Sequence, residues 1–297
     1  MKTQFYLRAR AARIFSLVGS CLAGACLTQA ATDEHRSAPV ATIQLDPYLR
    51  AQAIVHAVVE GHEGKFLFDT GEGVSSISPD FAKKIGCEPW GQITGFRMSG
   101  ERLDSPHCDN IAFKLGEQSF NAPVVMIYDI MKLMGPDVPA IDGAIGLDVF
   151  SDHVLTILPR QKIIIESQGS LEKRVSGAKE IPIRIVRDAE GASLAVDAAV
   201  QTPRGIAWME LDGGNGGSSV IANHIAPLLG FRQNISTPEV SRFRLANGIE
   251  VQGTLLTRDL IMDGNISAQF LNHWDLTLDL QRHRAWLAPS PEPSGSP

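Results

Sequence analysis

Cysteine is scarce in this chain: four residues in 297, two of them, Cys21 and Cys26, within the first thirty. His107-Cys108-Asp109 holds metal-ligand types, but no second cluster stands beside it, so no metal site is expected and the segment reads as loop. Beyond the N-terminus there is no run of 18 uncharged apolar residues, which leaves no internal membrane span. The glycine-rich stretch Gly213–Gly217 lacks the Lys-Ser/Thr of a phosphate loop, and it occurs once, without the aspartate of a calcium-binding nonapeptide. Ser218-Ser219 stand outside any Gly-x-Ser-x-Gly elbow, which speaks against a serine hydrolase. No cofactor is implied.

Acidic residues are missing before Asp33, where Lys2, Arg8, Arg10 and Arg13 precede the apolar run Ile14 to Leu27 and the small residues around Ala30. Residues 1–30 therefore read as an export signal, which points to a periplasmic or secreted protein. A lipid-anchored start at Cys21 or Cys26 is the alternative, although neither has the leucine usual three places before a lipidated cysteine. The signal carries four basic side chains and no acidic one, so the remainder has 23 basic against 33 acidic residues, a balance of −10. Such a surface does not favour nucleic acid or an anionic membrane. Cys87 and Cys108 remain, and in an exported chain they are expected to pair, free thiols being the other reading.

What is present is a core, with 44% hydrophobic and 20% charged residues, and one unusual stretch. Phe66-Leu67-Phe68 runs straight into Asp69-Thr70-Gly71-Glu72-Gly73. A carboxylate at the end of an apolar strand sits in poor solvent unless something there needs it, and Gly71 permits a sharp turn beside it. The plan returns as Trp208-Met209-Glu210-Leu211-Asp212-Gly213-Gly214.

In chain order, Ile54 to Glu60 and Lys65 to Phe68 form a hairpin around Gly61-His62-Glu63-Gly64. Ser78, Pro79 and Gly86 bracket a short helix. Phe96 to Glu101 is a hairpin with its turn at Ser99-Gly100. Val154 to Ile157 and Ile163 to Glu166 close the first half, residues 167–179 read as a polar linker, and 289–297 as a disordered tail. The second half repeats the landmarks. Asp69 to Gly86 spans 17 positions and Asp212 to Gly230 spans 18; Asp142 to Thr156 and Asp263 to Thr277 both span 14. Phe243 to Gly248 echoes Phe96 to Gly100, with a tight-turn Asn247-Gly248. A repeat this long means two related lobes, 42–167 and 180–288.

On Phe68-Asp69-Thr70-Gly71, Ala144-Ile145-Gly146 and Thr277-Leu278-Asp279, the chain resembles the aspartic peptidases, closest to exported bacterial proteins of the retropepsin/pepsin type. The resemblance implies a mostly-β fold of two pseudo-symmetric β-barrel lobes with short helices and a cleft between them. It implies Asp69 and Asp212 as a catalytic dyad, Gly71 and Gly214 as turn-shaping residues, Thr70 as a hydrogen-bonding brace across the lobe junction, and the hairpin carrying Phe96, Met98 and Gly100 as a substrate-covering flap. Two close carboxylates in a low-dielectric cleft cannot both ionise easily, so they share a proton, one serving as base toward water and the other as acid. The implied partner is a peptide or protein substrate; the sequence does not give the oligomeric state, for which a monomer is favoured. A non-catalytic protein of the same fold, holding a peptide or partner, is the alternative. Three departures from the family stand out: Gly213 where Thr or Ser is usual, Glu72 where a small residue is usual, and Ser267 for the glycine of the second hydrophobic-hydrophobic-Gly motif. Glu210 lies on the strand face of Asp212, where lobe one has Leu67.

Overall fold

Alternation of apolar and polar residues through Gln52–Val59 and His62–Phe68 makes these two strands a register-locked hairpin, with Ile54 opposite Leu67 and Val59 opposite His62. At its distal end the pattern gives way to three consecutive buried apolar residues, Phe66, Leu67 and Phe68, because both faces of the strand are covered there. Phe66 meets Phe81 and Phe113 edge-on at 5.3 and 5.6 Å in the main core, whereas Leu67 packs on the other face with Tyr48, Ile130, Ile141 and Ala144. Each such ring withdrawn from water contributes about 1.5–3 kcal/mol.

The computed structural model describes residues 38–135 and 137–291, which belong to one compact unit. The export signal expected in residues 1–30, with Cys21 and Cys26, and residues 292–297 of the expected tail lie outside the described residues. Among the described residues no helix is long and apolar enough to cross a membrane.

The architecture is mostly β, in two lobes. In lobe one the sheet order is Asp46–Tyr48, Gln52–Val59, His62–Phe68, Gly143–Ile145, Ser76–Ile77, Gln118–Ile127, Arg102–Leu115 and Trp90–Phe96. In lobe two it is Ile183–Val186, Ala195–Thr202, Gly205–Asp212, Gly264–Ser267, Ser219–Ala222, Glu250–Arg258 and Glu239–Arg244. In both, the strand that ends at the aspartate pairs in parallel with a short strand from the end of its lobe: Leu67 opposite Ala144, and Glu210 opposite Asn265. A third, six-stranded sheet takes strands from both halves and ties them together. Thr156 and Thr277, each 14 residues after its landmark aspartate, face one another in that sheet with their hydroxyls 2.9 Å apart.

Four local expectations need correction. Residues 167–179 are not a featureless linker: Gln168–Val175 is a helix, started by a reciprocal capping box between Ser167 and Ser170, and Lys179–Ile181 is a strand of the joint sheet. Pro289 closes a strand rather than opening the tail. His107, Cys108 and Asp109 lie within the long strand Arg102–Leu115, not in a loop. Asn247-Gly248 does make the expected tight turn, but the strand that follows it, Glu250–Arg258, runs parallel to Ser219–Ala222 as Gln118–Ile127 runs parallel to Ser76–Ile77. Lobe two has one strand fewer at this edge, so that hairpin does not occupy the sheet position of Phe96 to Glu101.

The short helix Pro79–Lys84 follows its sequence signals, with the Ser78 hydroxyl accepting from the Phe81 N–H at 3.1 Å. Cys87, just beyond this helix, is disulfide-bonded to Cys108, with Cα atoms 6.4 Å apart.

Candidate active site

Two strand ends carry two carboxylates to one place. The Asp69 N–H extends the parallel pairing by donating to Ile145 O at 3.0 Å, and Asp212 closes the register opposite Ser267. Both side chains are nearly sealed, with Asp69 9% and Asp212 7% exposed. The Gly214 N–H donates to Oδ1 of both at once, 2.9 Å to each. The two carboxyl groups therefore face one another around a single donor.

Glycine is required at two points because each loop lies on the other lobe's carboxylate. A Cβ on Gly214 would stand 1.9 Å from Oδ2 of Asp69, and one on Gly71 would stand 2.7 Å from Cγ of Asp212. The rest of the first loop turns back on its own aspartate, with the Gly71 N–H donating to Asp69 Oδ1 at 2.8 Å. In the second loop Gly214 and Asn215 do the same to Asp212 Oδ1.

The brace between lobes is one-sided. The Thr70 hydroxyl donates to Leu211 O at 2.5 Å and accepts from the Gly213 N–H at 2.8 Å. Gly213 has no hydroxyl to return the contact. Two further polar groups hold the second loop: the Gln52 amide donates to Gly214 O, and Asn265 Nδ2 donates to Asp212 Oδ2.

The pair sits among other carboxyls. Burial, followed by the charges of Asp212 and Glu72, holds Asp69 well above the usual carboxylate range. Burial pushes Glu72 up to about 7, against the opposing hydrogen bond it accepts from the Ser76 hydroxyl at 2.6 Å. Asp148 is pushed to about 6 by burial, although it accepts from the Ser75 N–H and hydroxyl at 2.9 and 2.7 Å. Glu210 is held well above its ordinary value by burial and then by Asp212 and Asp197. Among the described residues no group of three or more His, Cys, Asp or Glu is placed to hold a metal ion.

The hairpin carrying Phe96, Met98 and Gly100 arches to lobe two. Its turn is closed by Gly100 N–H to Arg97 O at 2.8 Å, Gly100 takes the left-handed φ of +85° that the turn requires, and Met98 O accepts from the Ile261 N–H at 3.0 Å. Phe96 points outward and is 55% exposed, so of the three flap residues only Met98 and Gly100 reach the opposite lobe.

The structure thus brings Asp69, Thr70, Gly71, Asp212, Gly213 and Gly214 into one constellation, carries the flap tip across to Ile261 of lobe two, and leaves the Cys87–Cys108 bond outside the constellation in lobe one. Sequence reasoning assigned no role to Asn265, Gln52, Ser75 or Asp148. A signal for Asn265 existed: in place-by-place comparison of the halves, the apolar pair Leu67/Ala144 becomes the polar pair Glu210/Asn265. Gln52 gave none, since its partner lies 162 residues away.

Comparison with known proteins agrees with this geometry at the level of fold. A family model described as aspartyl protease matches residues 55–149. Among solved structures, basic 7S globulin from soybean superposes with a TM-score of 0.54 at 8% identity, over 83% of this chain and 94% of that one. No curated protein sequence matches. The fold is that of an aspartic-protease-like protein.

Proposed function

We propose that the protein is an aspartic-type peptidase that hydrolyses peptide bonds with a water held between Asp69 and Asp212. The observation that carries this reading is the single Gly214 N–H shared by both carboxylates, which holds them around one donor where both side chains are nearly sealed from solvent. In such a site one carboxylate takes a proton from the attacking water while its oxygen bonds to the peptide carbonyl carbon, and the other carboxyl gives its proton to the carbonyl oxygen. Collapse of the resulting gem-diol breaks the C–N bond as the carboxyl that took the water's proton gives it to the amine nitrogen and the other carboxylate takes the proton of a gem-diol hydroxyl, which becomes the carbonyl of the product acid. Burial strengthens each of these electrostatic contacts. No metal or cofactor enters the scheme. Export and action outside the cytoplasm belong to the same proposal, on the basic and apolar N-terminus.

The test is peptide cleavage by the purified protein across pH 3–7, with Asp69→Asn and Asp212→Asn as controls. Cleavage abolished in both variants is expected; equal cleavage by variants and parent would overturn the assignment. The one-sided brace at Gly213 favours a second reading, a peptide-binding protein of the same fold. Saturable peptide binding by the parent without turnover, unchanged in Asp212→Asn, is the result that would replace the first reading by the second.

A further inference from the structure

We infer that Asn265 is a positioning residue that fixes the division of labour in the dyad, leaving Asp212 as the carboxylate and Asp69 as the carboxylic acid. The inference rests on the hydrolytic reading for its catalytic meaning, but the placement of the proton stands on geometry alone.

The two aspartates are not equivalently held. Asp69 receives N–H donors only on Oδ1, from Gly71 and Gly214, and none among the described residues reaches its Oδ2. Asp212 receives donors on both oxygens: Gly214 and Asn215 on Oδ1, and the Asn265 amide on Oδ2. An N–H donor stabilises a carboxylate and has nothing to offer a carboxylic O–H. With both of its oxygens engaged as acceptors, Asp212 is the better seat for the negative charge, and the shared proton is left on Asp69.

Asn265 is built for this. It is wholly buried, and its amide oxygen accepts from Asn215 Nδ2 at 2.8 Å, which orients Nδ2 toward Asp212 Oδ2. The same Nδ2 lies 3.3 Å from Oε2 of Glu210, the residue opposite it across the strands. Lobe one has no equivalent, because Ala144 and Leu67 occupy these places. The side that lost the hydroxyl brace at position 213 thus gained a side-chain amide directly on its aspartate.

The charged and titratable groups facing the pair are Glu72 from the loop after Asp69 and Glu210 from the strand before Asp212; Asp148 from the turn Leu147–Phe150 and Arg97 from the flap act on Glu72. Asp197 with its partner Arg184, and Asp188, stand beyond Glu210. Burial and the neighbouring carboxylates favour the protonated form of Asp69, in agreement with the placement.

The experiment is a carbon-13 carboxyl NMR titration of the full chain, with Asp69→Asn and Asp212→Asn assigning the two signals. The parent is expected to keep the Asp69 signal protonated to higher pH than that of Asp212. In Asn265→Ala the gap between the two midpoints is expected to narrow by about one to two pH units, the 10- to 100-fold effect of losing one hydrogen bond to a charged group. Glu210→Leu/Asn265→Ala copies the apolar pair of lobe one, guards against misfolding through a stranded Glu210, and should narrow the gap likewise. In cleavage assays kcat should fall by about the same factor with KM little changed. Asn265→Asp, which can donate only when protonated, should recover rate at acid pH alone. A parent in which Asp212 is the later to titrate, or midpoints unmoved in both Asn265 variants, would overturn the inference. Absence of peptide cleavage by a parent with the expected titration would instead overturn the hydrolytic reading.

Discussion

Replacing Thr70 by valine isolates the cross-lobe brace. The side chain is 3% exposed, and its hydroxyl is the partner of both Leu211 O and the Gly213 N–H. Valine keeps the shape and removes both bonds. Leu211 is fully buried, so its carbonyl is stranded at a cost of about 1–3 kcal/mol, whereas Gly213 is half-buried and can recruit water, placing its N–H near the low end of that range. The sum is about 2–4 kcal/mol. For a chain of this size each kcal/mol moves the melting temperature by about 2–4 °C, so Thr70→Val should melt roughly 4–16 °C below the parent. Thr70→Ser keeps the hydroxyl and loses one methyl, and should lose about 1 kcal/mol. Thermal unfolding followed by circular dichroism, at one pH and one protein concentration, reads all three proteins. A valine variant that melts with the parent, or a serine variant as damaged as the valine one, would refute the claim that this hydroxyl joins the lobes.

Gly214→Ala puts a methyl carbon on the Asp69 carboxylate, so it should abolish cleavage in the peptide assay, whereas Gly213→Ala, whose Cβ would stand 3.3 Å from Thr70 Oγ1, should retain most of it. Glu72 is held at about 7 in the folded chain against its ordinary 4.5, so the folded state keeps a proton that the unfolded state releases. Stability should therefore fall as pH rises from about 4.5 to 7 and stay lower above; Asp148 acts in the same direction, and Glu72→Gln should reduce the loss between pH 5 and pH 8 by about 1–2 kcal/mol in urea titrations. Reducing the Cys87–Cys108 bond, which links residues 21 positions apart, should cost about 3 kcal/mol, read as a lower urea midpoint in dithiothreitol that Cys87→Ala/Cys108→Ala reproduces without reductant.

The legible parts of the chain were those governed by local chemistry. An apolar run ending in Asp-Thr-Gly is a strand delivering a carboxylate, and the matched 14-residue spacings pointed to two threonines that the fold brings face to face. Period-two reasoning correctly set Glu210 and Asp212 on one side of their strand, since the amide of Asn265 reaches both. Residues 167–179 were misjudged because the helix there buries only Ser170 and Leu171, too few apolar positions to show a period of 3.6, while its start signal is a pair of serines rather than the usual Glu or Gln. The bond from Met98 O to the Ile261 N–H was illegible for a different reason. It is a backbone contact between loops that neither spacing nor composition encodes.

The polar departures in lobe two are coupled to one another. A lobe that had merely drifted would be expected to strand polar groups in its interior, since each buried donor or acceptor without a partner is costly. The buried side-chain atoms without partners among the described residues belong to His107, His153, Arg160, Glu166 and Asp275, and none of these residues hydrogen-bonds to the dyad. The substituted positions are instead satisfied in sequence. Ser267 exchanges hydrogen bonds with Ser219, Asn215 donates to Asn265 and to Ser218 O, and Asn265 donates to Asp212 and Glu210. Glu210, raised by burial, can sit beside Asp212 as a neutral acid rather than as a second buried anion. The glycine at position 213 and the amide at position 265 are therefore two halves of one arrangement, in which lobe two returns no brace across the junction but places a side-chain donor on Asp212.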